Sequence, residues 1–313
     1  MSSTHSFDAR SMLCVPAHID RFVSKAAERG ADVILLDLED GVAPSSKSQA
    51  RLALARAVTL LQDKGATVFI RVNNDPALLQ EDLAAAVRSG AVGIMLPKVE
   101  RSDELLRVDT ALAREERLAG RSCGEVRVIG LIETPIGVCH ASDIAQSSSR
   151  LVSIGLGAED FANAMSIEPV VQALAYPAQA VAIAAVAAGL HPIGLAGAVG
   201  DFTDLNAYRA TAEHARTIGV RGAVCIHPAQ VGVLNEVFGG SRAQADEAAR
   251  IVDAFDDALA RGQGAIALDG KMIDAPIAYR ARAFLARYER YAARSHPAHT
   301  HGNHLTNGTQ GKK

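Results

Sequence analysis

Eight short runs rich in Val, Ile and Leu recur along the first three-quarters of the chain, at residues 11–17, 32–38, 67–73, 92–98, 126–134, 151–157, 191–198 and 222–227. Most of them lack polar alternation. That pattern predicts strands covered on both faces, as in a parallel sheet. Between them lie stretches with helical spacing, such as 20–29 closed by Gly30, 49–63 closed by Gly65 and 77–89 closed by Gly90. Glycine just past a helix end is the usual left-handed terminator.

Eight strand–helix units within about 230 residues match a (β/α)8 TIM barrel of the α/β class. A doubly wound open sheet would carry a Gly-rich phosphate loop after an early strand, and none is found. After Phe238 the pattern changes. A Ser-capped helical run covers 241–261, a loop covers 262–276, and a second helix reaches about residue 293. This reads as a helical C-terminal extension over 241–294, too small for its own core, packing on the barrel of 11–240 or on a neighbouring subunit. Residues 1–10 read as a flexible N-terminus and 295–313 as a polar, disordered tail. The tail's His296, His299, His301 and His304 fit an unstructured segment better than a metal site.

Composition narrows the class. Of 313 residues, 49% are hydrophobic, only 4% are aromatic and none is Trp, so Ala, Val, Leu and Ile must fill a large core. The net charge of −3 is mixed along the chain, with no basic stripe of the kind nucleic acid needs. Cys14, Cys123, Cys139 and Cys225 form no CxxC pair. Three lie in apolar segments and read as buried free thiols, which suits a reducing, cytoplasmic setting. Residues 1–10 lack an apolar signal core, and no apolar stretch is long enough for a membrane span.

The chemistry is concentrated at the strand ends. In a barrel the C-terminal strand ends line the active site. Here they read Asp37-Leu38-Glu39-Asp40, Arg71-Val72-Asn73, Pro97-Lys98, Glu133-Thr134, Glu159-Asp160 and His227-Pro228. The strand starts are mostly uncharged, with Thr67, Val92, Val126 and Gly222 among them, so the charges have a polarity along the barrel axis. Converging carboxylates without a Cys/His cluster suggest a hard cation, Mg2+ or Mn2+. Glu133 and Asp160 are the best ligands, because each ends a strongly apolar strand. Alternatively each caps the helix that follows. Arg71 has two readings, an ion pair with Glu39 or Asp40 and a fork for a substrate carboxylate or carbonyl. Lys98 has the same two readings. His227 suits a structural hydrogen bond and a catalytic role about equally.

With these residues in hand, the chain resembles the citrate lyase beta-subunit-like family of CoA-ester lyases, of the HpcH/HpaI aldolase type. The resemblance runs from Arg10 to about Tyr291. It rests on RSMLCVPA (10–17), GADVILLDLEDGVAPSSKSQAR (30–51), IRVNN (70–74), IMLPKVE (94–100), GLIETPIGV (130–138), GLGAEDF (155–161), IHPAQV (226–231) and GKMIDAP (270–276), in this order. It implies a homo-oligomer, a trimer or hexamer, of Mg2+-binding barrels. Further, it implies Glu133 and Asp160 as metal ligands, Arg71 on the keto-acid product, and Glu39 and Asp40 as supporting acids. Lys47 and Arg51 match positions that meet CoA phosphates. Asp274 matches a residue reaching in from a neighbouring subunit.

The implied reaction is reversible cleavage of a 3-hydroxyacyl-CoA of malyl, citramalyl or citryl type to a 2-keto acid and an acyl-CoA. Mg2+ would act as Lewis acid, Arg71 would offset developing charge, and Asp274 would move the proton. Three rivals stand beside it: a citrate lyase beta subunit working on an acyl-carrier protein, a CoA-independent aldolase, and a non-catalytic binding protein. The family pattern is departed from at Ala17-His18, at Tyr176-Pro177-Ala178-Gln179 and at Ala198-Val199-Gly200-Asp201. These departures bear on the acyl substrate.

Overall fold

The computed structural model describes residues 7–198, 200 and 202–295. Val199, Asp201 and the four tail histidines lie outside the described residues, as does most of the expected N-terminus.

All eight expected strands form: β1 (Ser11–Pro16), β2 (Val33–Asp37), β3 (Val68–Arg71), β4 (Gly93–Leu96), β5 (Arg127–Ile132), β6 (Leu151–Leu156), β7 (His191–Gly194) and β8 (Ala223–Cys225). They pair in parallel in the order β7-β6-β5-β4-β3-β2-β1-β8. A parallel bridge between Ile193 and Gly222 joins the two edges and closes the ring. The connecting helices are α1 (Asp20–Ala26), α2 (Lys47–Gln62), α3 (Pro76–Arg88), α4 (Ser102–Leu118), α5 (Pro135–Cys139), α6 (Ala141–Ala145), α7 (Ala158–Met165), α8 (Val171–Ala187), α9 (Leu205–Thr217) and α10 (Pro228–Gly239).

Strand parity divides the core in two. Met12, Val33, Leu35, Phe69, Met95, Ile129, Leu131 and Ile193 fill the barrel interior. Their neighbours Leu13, Ile34, Leu36, Val68, Ile70 and Ile94 face the helices. The interior is tight: a Cβ on Gly93 would lie 2.4 Å from the Phe69 ring. Glycine there makes room for the Phe69 ring.

The chain divides into two compact units at Phe238/Gly239. The second unit holds α11 (Arg242–Ala260), a β9–β10 hairpin (Ala265–Leu268 and Lys271–Asp274) and α12 (Ala275–Ser295). Ser241 and Gln244 form a reciprocal capping box at the start of α11. The expected loop over 262–276 is therefore mostly a hairpin, turned at Asp269-Gly270, where both residues have positive φ. That dipeptide is a strong hairpin signal. The unit also has a small core of its own, with Phe255, Ile273 and Ala278 buried together.

The cysteines depart from expectation. Only Cys225 is buried, while Cys123 and Cys139 are exposed and Cys14 is half-buried. No described helix is long and apolar enough to cross a membrane.

Candidate active site

The C-terminal mouth of the barrel holds a cavity of about 210 Å3. Its floor is apolar, from Cys14, Met95, Leu131, Leu156, Ile193 and Val224, and its rim carries Asp40, Arg71, Glu133, Glu159 and Asp160. Burial pushes the Cys14 thiol up to about 12, with Asp37 adding to the effect. The neutral thiol is thus the favoured form of this lining group.

Glu133 follows β5 and is only 4% exposed. Its Oε2 accepts a hydrogen bond of 2.7 Å from the Lys98 backbone N–H. Lys98 has φ of 54°, the left-handed region that favours glycine. Asn74 braces this turn by donating to the carbonyls of Pro97 at 3.0 Å and Lys98 at 3.2 Å. On its other side Glu133 packs against Gly157, where a Cβ would meet Oε1 at 2.2 Å. Burial raises the Glu133 carboxyl to about 7, helped by the negative charges of Asp160 and Glu39. Asp160 sits one residue set further on, in the first turn of α7, and not at the strand end itself. A buried carboxylate crowded by like charge, beside a half-exposed one, is an arrangement that a divalent cation relieves. The donor set, all oxygen, suits Mg2+ or Mn2+.

Arg71 ends β3 in register with Asp37 of β2. Its Nε and one terminal nitrogen donate to the two Asp37 oxygens at 2.8 and 2.7 Å. Its other terminal nitrogen lies 3.1 Å from Glu39. Of the two partners expected for Arg71, Glu39 is found and Asp40 is not; Asp37 was the residue missed. Asp37 is 1% exposed and also accepts from the backbone N–H of Glu39 and Gly41, each at 2.8 Å. Burial alone would raise its carboxyl, but Arg71 and these two amides outweigh it and hold it below the usual range. Two of the five guanidinium N–H groups remain for a ligand in the cavity.

Lys98 spans the carboxylates. Its ammonium lies 2.7 Å from Glu39, 3.9 Å from Asp40 and 4.0 Å from Asp160. Burial keeps the Glu39 carboxyl above its ordinary value despite Arg71 and Lys98. Asp40 is an exposed rim group. The structure therefore brings together Glu39, Asp40, Arg71, Lys98, Glu133 and Asp160.

It does not bring in Lys47 and Arg51 as free cations. The Lys47 ammonium donates to Leu38 O, Glu39 O and Asn73 Oδ1 at 2.8, 2.8 and 2.7 Å. Arg51 bonds to Glu81 and lies 2.8 Å from the buried Asp82. Both expected phosphate contacts are thus already spent on protein groups. A second cavity, of about 660 Å3, instead carries cations. It shares Cys14 and Ile226 with the first and is lined by Arg21, Phe22, Lys25, Arg29 and His227. None of these three cations is in a salt bridge with another described residue. Their i, i+4, i+8 spacing was visible in the sequence. His227 stacks on Phe202, ring centres 4.5 Å apart, and its Nδ1 accepts from the Ala229 N–H at 3.2 Å.

Asp274, in the second unit, ends β10, and its Oδ1 accepts from the Ile277 N–H at 3.3 Å. It caps α12.

Comparison with known proteins points the same way. Residues 10–228 match the HpcH/HpaI aldolase/citrate lyase family. The chain is 32% identical over 286 residues to the citrate lyase subunit beta of Escherichia coli K12, covering 90% of this chain and 93% of that one. It is 34% identical over 288 residues to the L-malyl-CoA/beta-methylmalyl-CoA lyase of Cereibacter sphaeroides, covering 85% and 90%. A crystal structure of CitE from Mycobacterium tuberculosis in complex with magnesium, acetoacetate and coenzyme A superposes with a TM-score of 0.70 at 28% identity, covering 90% of this chain and 98% of that one.

Proposed function

Because the chain belongs to the HpcH/HpaI aldolase/citrate lyase family and is a carbon–carbon lyase, we propose that it cleaves a 3-hydroxyacyl-CoA, reversibly and with Mg2+, into a 2-keto acid and an acyl-CoA. The observation that carries this reading is the buried Glu133 beside Asp160 and Arg71 at one cavity, which shares Cys14 and Ile226 with a second cavity lined by three cations. Relatives named as lyases of malyl-CoA and a relative crystallised with magnesium and coenzyme A support it.

Glu133 and Asp160 would hold the metal, which when bound supplies a Lewis acid to the keto-acid oxygens. Everything else falls to the chain. Asp37 holds the Arg71 fork rigid, so its two remaining N–H groups would hold the keto-acid-side oxygen, which is most negative in the alkoxide that precedes C–C cleavage and regains that charge on condensation. The apolar floor excludes water from that oxygen. Lys98 balances the surplus of carboxylates on the rim. Arg21, Lys25 and Arg29 would receive the CoA phosphates, the role first expected of Lys47 and Arg51. On cleavage the 3-hydroxyl proton would pass to a rim carboxylate such as Glu39 while Asp274 would give a proton to the thioester α-carbon, and condensation would run both transfers backwards. No covalent adduct with the protein is required.

The test is a panel. Purified protein is incubated with malyl-CoA, citramalyl-CoA and citryl-CoA, with Mg2+ and with EDTA, and with the matching acyl-carrier-protein thioester. Mg2+-dependent release of a keto acid from at least one CoA ester is expected. Turnover of the carrier-protein thioester alone would replace CoA by the carrier. Turnover of none of them would overturn the reading.

A further inference from the structure

Lys47, a candidate CoA-phosphate contact by resemblance, is tied into the protein itself. It opens α2, and its ammonium reaches back to the end of β2. An ammonium has three N–H groups. Here one goes to Leu38 O at 2.8 Å, one to Glu39 O at 2.8 Å and one to Asn73 Oδ1 at 2.7 Å. A phosphate could bind only by displacing one of them.

The acceptors are themselves fixed. Asn73 is 5% exposed and donates from Nδ2 to Leu38 O at 2.9 Å and to Asp82 at 2.6 Å. Its backbone N–H also donates to Asp82, at 2.9 Å. Asp82 is fully buried and lies 2.8 Å from Arg51. A polar brace therefore runs Lys47–Asn73–Asp82–Arg51 beneath the rim, tying β2 and β3 to α2 and α3. What it grips is the turn that carries Glu39. The Glu39 carboxylate in turn contacts Lys98 at 2.7 Å and Arg71 at 3.1 Å. That turn carries Asp37, Glu39 and Asp40, three like charges within four residues, which repel one another and favour opening. A cation bonded to two consecutive carbonyls of the same turn opposes this.

We propose that Lys47 is a positioning residue, which sets Glu39 and through it Arg71 and Lys98, and that it makes no contact with the CoA phosphates. The proposal rests on the lyase reading above for its kinetic test. A displacement of about 1 Å at a reacting group costs about 10²-fold in rate. Lys47→Met should therefore lower kcat by about 10- to 100-fold and leave KM for the CoA ester within about twofold of wild type.

The experiment measures kcat and KM of the full-length Lys47→Met protein with Mg2+ on two substrates. One is the CoA ester that wild type cleaves. The other is the same acyl group on pantetheine, which lacks the nucleotide phosphates. Equal loss of kcat on both is expected. A rise in KM confined to the CoA ester, with kcat kept, would make Lys47 a phosphate contact and overturn the proposal, as would wild-type constants on both. Lys47→Cys alkylated with 2-bromoethylamine restores an ammonium at nearly the same reach and should recover kcat. Alkylated wild type controls for the exposed Cys123 and Cys139. A crystal structure of Lys47→Met, or of unalkylated Lys47→Cys if the former does not fold, separates the two levels of failure. Glu39 should leave Arg71 and Lys98 whether or not wild type proves to be a lyase. An unmoved Glu39 sinks the positioning role on its own.

Discussion

Glu133→Gln replaces a buried carboxylate by its neutral isostere, and the pH dependence of metal binding reads out the difference. In the metal-free protein the Glu133 carboxyl is raised to about 7, first by burial and then by Asp160 and Glu39. At pH 6 only about a tenth of it is ionised, and at pH 8 about nine-tenths. A cation binds only the ionised form. The affinity for Mg2+ or Mn2+ should therefore be about tenfold weaker at pH 6 than at pH 8, and binding at pH 6 should release about 0.9 proton. Stability moves the opposite way without metal. The folded state keeps a proton that the unfolded chain has lost, so stability falls as pH rises from about 4.5 to about 7. The total is on the order of 3 kcal/mol, and Mg2+ should restore it. Calorimetric titration in two buffers of different ionisation enthalpy counts the protons, and denaturant melts with and without metal follow the stability. Glu133→Gln should abolish both the proton release and the slope. Metal binding at pH 6 with no proton released would show that Glu133 is either ionised already or not a ligand.

Three other perturbations follow from the same geometry. Asp37→Asn removes the bidentate counter-charge of a buried guanidinium, leaving it Glu39 at 3.1 Å, and should cost about 3 kcal/mol at pH 7. Because the folded Asp37 carboxyl lies below its unfolded value, this contribution is present above about pH 4 and is lost as pH falls through the folded value; the denaturation midpoints of wild type and variant should converge in strong acid, and a gap unchanged by acid would contradict the pairing. Gly157→Ala puts a methyl where Glu133 Oε1 lies, 2.2 Å from the new Cβ, with a backbone φ of −86° that alanine accepts. Metal affinity should fall about tenfold or more while the far-ultraviolet circular dichroism stays unchanged; undiminished Mn2+ binding would show that Glu133 is free to move aside. Asp274→Asn still accepts the Ile277 N–H, so its melting temperature should change little, while kcat falls by about 10²-fold or more. Full activity would remove Asp274 from the reaction.

Much of the fold was legible because it depends on burial, and burial leaves a direct mark on residue type. Each of the eight apolar runs became a strand within a few residues of its expected ends. The hairpin over 265–274 looks like loop in the sequence because its alternation is weak and its strands are half-exposed, although Asp269-Gly270 signals the turn. At the site, strand-end polarity found Glu39, Arg71, Lys98 and Glu133. Asp37 stands at a strand end in the sequence too, but only the register of β2 against β3 reveals that it, and not Asp40, faces Arg71. That Lys47 and Arg51 fold back onto protein groups is invisible in sequence, because a cation at a helix start looks the same whether it faces a ligand or folds back onto a strand end. The cations of Arg21, Lys25 and Arg29 stand at helical spacing, but that their cavity shares Cys14 and Ile226 with the one at the barrel mouth depends on β1 and β8 being neighbours.

The central claim is that Glu133, Asp160 and Arg71 form one Mg2+-dependent C–C lyase centre served by free CoA. Single-turnover cleavage of the preferred 3-hydroxyacyl-CoA, followed by simultaneous quantitation of keto acid and acyl-CoA, tests it most directly. Wild type with Mg2+ should yield the two products in equal amounts, and EDTA, Glu133→Ala or Asp160→Ala should each abolish both while the barrel remains folded. Equal product formation that survives EDTA and both substitutions would contradict the account.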